Sequence, residues 1–134
     1  MDNPRLIAEH AFTNIPGIDK VENVAAYYFD TKMRLIRFNI VSKGTVNKSL
    51  VHQRDVFRGA CEANATSIVL VHNHPTGDTS PSNEDRTLTT TLIKAGQILD
   101  MAFMDHIVVG GVLGSDGNVG YYSFRERTSL WNSN

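Results

Sequence analysis

The sequence holds a single cysteine, Cys61, among its 134 residues. One thiol excludes a disulfide framework and any zinc cage built from thiolates within one chain, and it makes the reducing cytoplasm the natural compartment. Neither charge is in excess, because 13 Lys and Arg stand against 14 Asp and Glu for a formal net charge of −1. A nucleic-acid-binding domain usually shows clustered basic residues and a high pI, so composition does not support nucleic acid as a partner. Long apolar runs are missing as well. The longest aliphatic run, Ile68 to Val71, is far too short to span a bilayer, and Met1-Asp2-Asn3-Pro4 opens without the basic and apolar regions of a signal peptide. No repeat, low-complexity tract or interdomain linker interrupts the chain. These absences point to a soluble cytoplasmic domain with no membrane partner.

What is present suffices for one core: 41% of the residues are apolar and 20% charged, ordinary values for a globular domain of this length. The expectation is a single domain over residues 1–134, with an N-terminal helix and connection over 1–20 and the core over 24–124. Asn3 and Pro4 suit the N-cap and first position of a short helix whose Ile7 and Ala11 share a face, and Asn14-Ile15-Pro16-Gly17 ends it. Val24 to Phe29 and Arg34 to Ser42 read as two strands joined at Asp30-Thr31-Lys32, a hairpin with one mostly buried face. A loop follows over Gly44 to Ser49. Gln53 to Ala63 reads as a helix burying Val56, Ala60 and Ala63, and Ser67 to Val71 as a central strand apolar on both faces. A second helix, from about Asn83 to Leu99, carries Leu88, Leu92, Ala95 and Leu99 on its inner stripe. A strand at Asp105 to Val109, a turn at Ser115-Asp116-Gly117-Asn118 and a strand around Tyr121 to Phe124 complete a mixed α/β layer fold.

Chemistry concentrates between residues 72 and 85. His72 and His74, two apart in extended backbone at the end of a buried strand, point their imidazoles to the same side. Two neutral imidazoles are good zinc ligands, and a catalytic zinc needs one more protein ligand and an open position. Asp85 can supply that ligand, because Ser82-Asn83-Glu84-Asp85 opens the next helix and Gly77 and Pro81 fold the intervening loop back over the strand end. Ser82 with Asp85 three residues on is equally a helix N-cap pair, and the two roles are compatible, since a cap fixes the carboxylate that binds metal.

The spacing H-x-H-x7-S-x-x-D resembles the JAMM signature of the JAB/MPN-fold zinc metalloproteases. Leu50 to Phe57, Ala63-Asn64-Ala65, Val71 to Pro75, Pro81-Ser82, Asp105-His106-Ile107 and Tyr121 to Phe124 resemble its RadC-like branch. The similarity runs from roughly Val24 to the C-terminus. The helix-hairpin-helix region that precedes the domain in many RadC-type proteins has no counterpart in this sequence. The resemblance implies an MPN-like mixed sheet flanked by helices, a layer architecture of the cytidine-deaminase kind, with Zn²⁺ held by His72, His74 and Asp85. It implies that Ser82 hydrogen-bonds the oxyanion formed when metal-bound water attacks the carbonyl of a peptide or isopeptide-like bond. It also implies a glutamate, on the strand before the first core helix, that takes the proton of that water.

Counting back from Gly44 puts that glutamate position at Asn39 or Ile40, and no acidic residue occurs between Asp30 and Asp55. An amide orients water but is no useful proton acceptor near neutrality. The expectation is therefore a metal site with impaired peptidase activity. A catalytically inactive module that binds a peptide or protein is the alternative, and a DNA-repair accessory, suggested only by RadC-type proteins as a class, the weakest. Glu62 and Glu84 are poorly placed as replacements by spacing. Cys61 is expected to be a small buried residue, His52 a helix cap or a support behind the ligands, and His106 structural. Arg54, Arg58 and Arg86 read as solvated surface, and Trp131 as docked either on the domain or on a partner.

Overall fold

Asn3 and Pro4 start the first helix of the computed structural model, which describes residues 1, 3–44 and 51–132. The Asn3 side chain accepts from the Leu6 N–H and Pro4 sits where no N–H is needed, so α1 runs Pro4–Asn14. The strands and helices that follow are β1 (Asn23–Phe29), β2 (Leu35–Lys43), α2 (Gln53–Ala63), β3 (Ser67–His74), α3 (Asn83–Leu99), β4 (Ala102–Gly110), β5 (Tyr121–Ser123) and α4 (Phe124–Arg127). A 3₁₀ turn at Leu130–Asn132 follows. Most of the loop expected over Gly44 to Ser49 lies outside the described residues.

The five strands form one mixed sheet in the order β2-β1-β3-β4-β5. Only β3 and β4 pair in parallel, across the α3 connection, and the other neighbours are antiparallel. The strand bearing His72 and His74 is thus central, as its apolar run requires. Strand β1, beside it, is buried at all seven positions. The hairpin expectation of one mostly buried face holds for neither strand: β1 is covered on both faces, and the edge strand β2 has no fully buried residue.

Alternation along the strands sorts two cores. Ala25, Tyr27, Phe29, Val69, Val71, Ile107 and Val109 face α1 with Ile7 and Ala11. Val24, Ala26, Tyr28, Ile68 and Leu70 face α2 and α3, meeting Val56, Ala60, Leu88 and Leu92. Each large side chain so buried contributes about 1.5–3 kcal/mol of transfer free energy. One stripe expectation is corrected at a helix end: Leu99 is 51% exposed, while Ala63 and Ala95 are partly buried against the core. Cys61 is exposed rather than buried, because it follows Ala60 by one residue and so lies about 100° further round α2. Trp131 docks on the domain, stacking on Phe103 and donating from Nε1 to its carbonyl at 2.7 Å. Among the described residues, no helix is long and apolar enough to cross a membrane.

Candidate metal centre

Positions 68, 70, 72 and 74 of β3 share one face, so the strand that buries Ile68 and Leu70 against α2 and α3 delivers His72 and His74 at its C-terminal end. Their Nε2 atoms lie 3.0 Å apart. Asp85, wholly buried in the first turn of α3, brings Oδ1 to 3.5 Å from His72 Nε2. Two ligands about 2.05 Å from a tetrahedral zinc stand about 3.3 Å from each other. His74 Nε2 and Asp85 Oδ1 therefore each stand at ligand spacing from His72 Nε2, which the two pairs share.

The cap holds Asp85 in that pose. Ser82 Oγ accepts from the Asp85 N–H at 3.1 Å while Asp85 Oδ2 accepts from the Ser82 N–H at 2.8 Å, a reciprocal capping box. Oδ2 is thus committed to the backbone and Oδ1 is turned to the histidines. The loop between strand and helix is shaped by Asp78, whose carboxyl accepts from the Ser80 N–H and is held below the usual carboxylate range by that bond.

Hydrogen-bond direction fixes the imidazole tautomers. Thr89 gives its one hydroxyl proton to the Asp85 carbonyl at 2.7 Å, so toward His106 Nδ1, also at 2.7 Å, its oxygen accepts. His106 therefore carries its proton on Nδ1 and accepts with Nε2 from His72 Nδ1–H at 2.8 Å. That leaves the lone pair of His72 on Nε2. His74 Nδ1 lies 2.6 Å from the Asp78 carbonyl, which only accepts, so the His74 lone pair is on Nε2 too. Two lone pairs facing each other beside a carboxylate oxygen repel unless a cation stands between them. The donor set, two imidazoles and a carboxylate, fits a borderline divalent ion such as zinc. Among the described residues, His72, Asp85 and His106 form one group of potential donors within 4.8 Å of one another, whereas the expected set of His72, His74 and Asp85 is not such a group. Both ring nitrogens of His106 are engaged by Thr89 and His72, however, which puts it behind His72 rather than at the ion.

A second acid reaches the centre from outside the motif. Glu22 Oε1 lies 3.8 Å from His74 Nε2, and Glu22, His72 and His74 form a second 4.8 Å group. The reason is register: β1 runs antiparallel to β3 with Val24 opposite His72, so Glu22, two residues earlier, falls beside His74 on the same face. Neither Asn39 nor Ile40 stands beside the histidines. Asn39 pairs with Ala26, itself opposite Leu70, and so stands two strands, about 10 Å, to the side of β3. Its side chain hydrogen-bonds the Tyr28 hydroxyl, and burial outweighs that bond in pushing the phenol up to about 12. Ile40 is 39% exposed on the sheet edge. The pattern that would have found Glu22 is an acidic residue immediately before a strand antiparallel to H-x-H.

The remaining candidates separate cleanly. His52 stands at the N-cap of α2 without a side-chain cap bond. His106 is structural in a directed sense: its backbone N–H donates to Asp105 Oδ1, its ring stacks on Phe124, and its nitrogens link Thr89 to His72. Burial raises the Asp105 carboxyl, against the opposing pull of Ser123 Oγ and the N–H groups of Arg125 and His106. Glu84, Arg54 and Arg86 are exposed, and Arg58 pairs with Asp55 at 3.2 Å on the surface.

The family described as the RadC-like JAB domain matches residues 1–129. Among similar curated proteins, a "UPF0758 protein" of Thermotoga maritima is 45% identical over 109 residues, covering 81% of this chain and 46% of the relative. One from Chlorobaculum parvum is 38% identical over 124 residues, 92% of this chain and 52% of the relative. One from Methanococcoides burtonii is 41% identical over 91 residues, 68% and 40% respectively. The chain spans about half the length of the curated relatives it matches.

Proposed function

Because the chain belongs to the RadC-like JAB domain family, we propose that it is a zinc-dependent hydrolase of the JAMM type, acting on a peptide or isopeptide-like amide bond. The observation that carries this reading is that His72 Nε2 has His74 Nε2 at 3.0 Å and Asp85 Oδ1 at 3.5 Å, with Glu22 Oε1 3.8 Å from His74 Nε2. His72, His74 and Asp85 would hold the ion, which when bound supplies a Lewis acid that polarises the carbonyl and eases ionisation of water.

The protein's own groups complete the reaction. Glu22, 29% exposed in its side chain at the mouth of the centre, accepts the proton of the attacking water and returns it to the leaving amine. The Ser82 oxygen already accepts from the Asp85 N–H, so its hydroxyl proton is available to the oxyanion as the carbonyl becomes tetrahedral. His106, through His72 Nδ1, keeps the His72 ring in one orientation throughout. The binding-only alternative rested on a missing carboxylate, and Glu22 supplies one. The lone exposed thiol suits a reducing compartment, which supports a cytoplasmic location, and a peptide or protein is the partner such a site fits.

The test is cleavage of a quenched-fluorescent peptide library by the zinc-loaded protein, with Glu22→Gln as control. Zinc-dependent cleavage that falls about 10²–10⁴-fold in Glu22→Gln at equal zinc content is expected. Cleavage indifferent to Glu22→Gln, or none by the zinc-loaded protein, overturns the reading.

A further inference from the structure

Residue 73 lies between two ligand positions, and the pleat turns it away from them, onto the α1 face. There the side chain of Asn73, wholly buried, makes three hydrogen bonds to one segment. Its Nδ2 donates to the Ile18 carbonyl at 2.7 Å and to the Val21 carbonyl at 2.9 Å, and its Oδ1 accepts from the Asn23 N–H at 2.8 Å. These three bonds bracket Glu22.

They also stand in for a ladder that has ended. Backbone pairing between β1 and β3 begins at Val24 opposite His72, so the register aims Glu22 at His74 but no ladder pair holds the two together. One residue beyond, the Asn23 N–H finds a side-chain amide where a strand would offer a carbonyl. The segment's other ties include its own turn, through the Lys20 and Val21 N–H groups to the Gly17 carbonyl, the Gly44 N–H to the Glu22 carbonyl at 2.9 Å, and Asn23 Nδ2 to the Pro16 and Val21 carbonyls. Asn73 supplies three hydrogen bonds between it and the strand that carries the histidines.

We propose that Asn73 is the positioning residue for Glu22, setting the carboxylate's distance from the metal centre by anchoring residues 18–23 to the H-x-H strand. This rests on the reading of Glu22 as the proton acceptor. The central position of H-x-H thus does its work on the opposite face of the sheet: the histidines fix the ion, and the residue between them fixes the base. A displacement of about 1 Å in a reacting group costs on the order of 10²-fold in rate, so turnover should fall by about that factor without Asn73.

Two measurements test this on the whole chain, with Asn73→Ala and with Asn73→Asp, which keeps the acceptor for Asn23 but sets a carboxylate against two carbonyls. The first is amide hydrogen exchange without added metal. The Lys20 and Val21 amides should exchange at least about tenfold faster in both variants while those of Val69 to Val71 keep their protection. Unchanged exchange at Lys20 and Val21, or loosening of the whole sheet, overturns the anchor. The second is a double-mutant cycle on zinc-loaded protein with the quenched-fluorescent peptide library. Asn73→Ala should lower kcat in the wild-type background, leave zinc stoichiometry unchanged, and have no further effect on Glu22→Gln. Equal losses in both backgrounds would show that Asn73 does not act through Glu22. If Glu22→Gln cleaves as the wild type does, or the wild type cuts nothing, the hydrolase reading fails instead, and exchange still decides whether Asn73 anchors the segment.

Discussion

Replacing His106 by Leu probes the chain that runs from the α3 backbone to the metal centre. His106 is wholly buried, 2.8 Å from His72 Nδ1 and 2.7 Å from Thr89 Oγ1. Leucine removes the acceptor for His72 Nδ1–H and strands that donor in a dry core, a penalty of about 1–3 kcal/mol. Thr89 loses little, because its hydroxyl still donates to the Asp85 carbonyl. The freed imidazole of His72 can then turn or change tautomer, so its Nε2 lone pair is no longer preset toward His74 and Asp85. Loss of a partner behind a metal-ligating histidine typically weakens binding about 10–100-fold. His106→Gln places an amide oxygen where Nε2 stood and an NH₂ toward Thr89, and should recover most of the affinity. Zinc dissociation constants from competition with a fluorescent chelator, taken beside chemical denaturation, separate the two effects. Equal zinc affinity in wild type and His106→Leu, with stability alone reduced, would refute the tautomer argument.

Ser82→Ala removes the acceptor for the Asp85 N–H and should cost about 1 kcal/mol in urea denaturation. It should also lower turnover about 10²–10³-fold if the hydroxyl serves the oxyanion, whereas Ser82→Thr keeps both functions. Gly111→Ala should destabilise by about 1–3 kcal/mol, since a Cβ there would overlap the Ile18 carbonyl oxygen and lie 2.9 Å from the Pro75 Cα. Partial burial lowers the His10 pKa below 6.5, and its Nδ1 lies 2.7 Å from the buried Tyr27 hydroxyl. The neutral form is thus the one the fold prefers. Its contribution is fully present above pH 6.5 and is lost as pH falls through the folded pKa, so His10→Gln should flatten the acid side of a Tm-against-pH profile. Asn39→Glu should bring no gain in hydrolysis, because the new carboxylate would sit at the Tyr28 hydroxyl.

The parts legible in the sequence were those that local pattern encodes. His72 and His74 share a face because any strand alternates, and Ser82 and Asp85 meet because any capped helix start brings positions three apart together. The buried run Ile68 to Val71 put that strand at the centre. What escaped was set by pairing between distant segments. Glu22 is aimed at His74 by the antiparallel register of β1 on β3, across 52 residues of chain, whereas counting back from Gly44 follows β2, a strand removed from the site. His106 comes beside His72 through the parallel register of β4, with Leu70 as its partner. Cys61 was misplaced by its alanine neighbours: a helix face changes within one residue, and composition does not record which way it turns.

The central claim is that one divalent ion sits among His72, His74 and Asp85. Metal content after zinc loading and exhaustive dialysis, measured on the wild type, His72→Ala, His74→Ala, Asp85→Ala and Glu22→Gln, tests it most directly. About one equivalent in the wild type and in Glu22→Gln, against a small fraction in the other three, is the predicted pattern. A full equivalent retained by His74→Ala or Asp85→Ala in a folded protein, or none in the wild type, would contradict it.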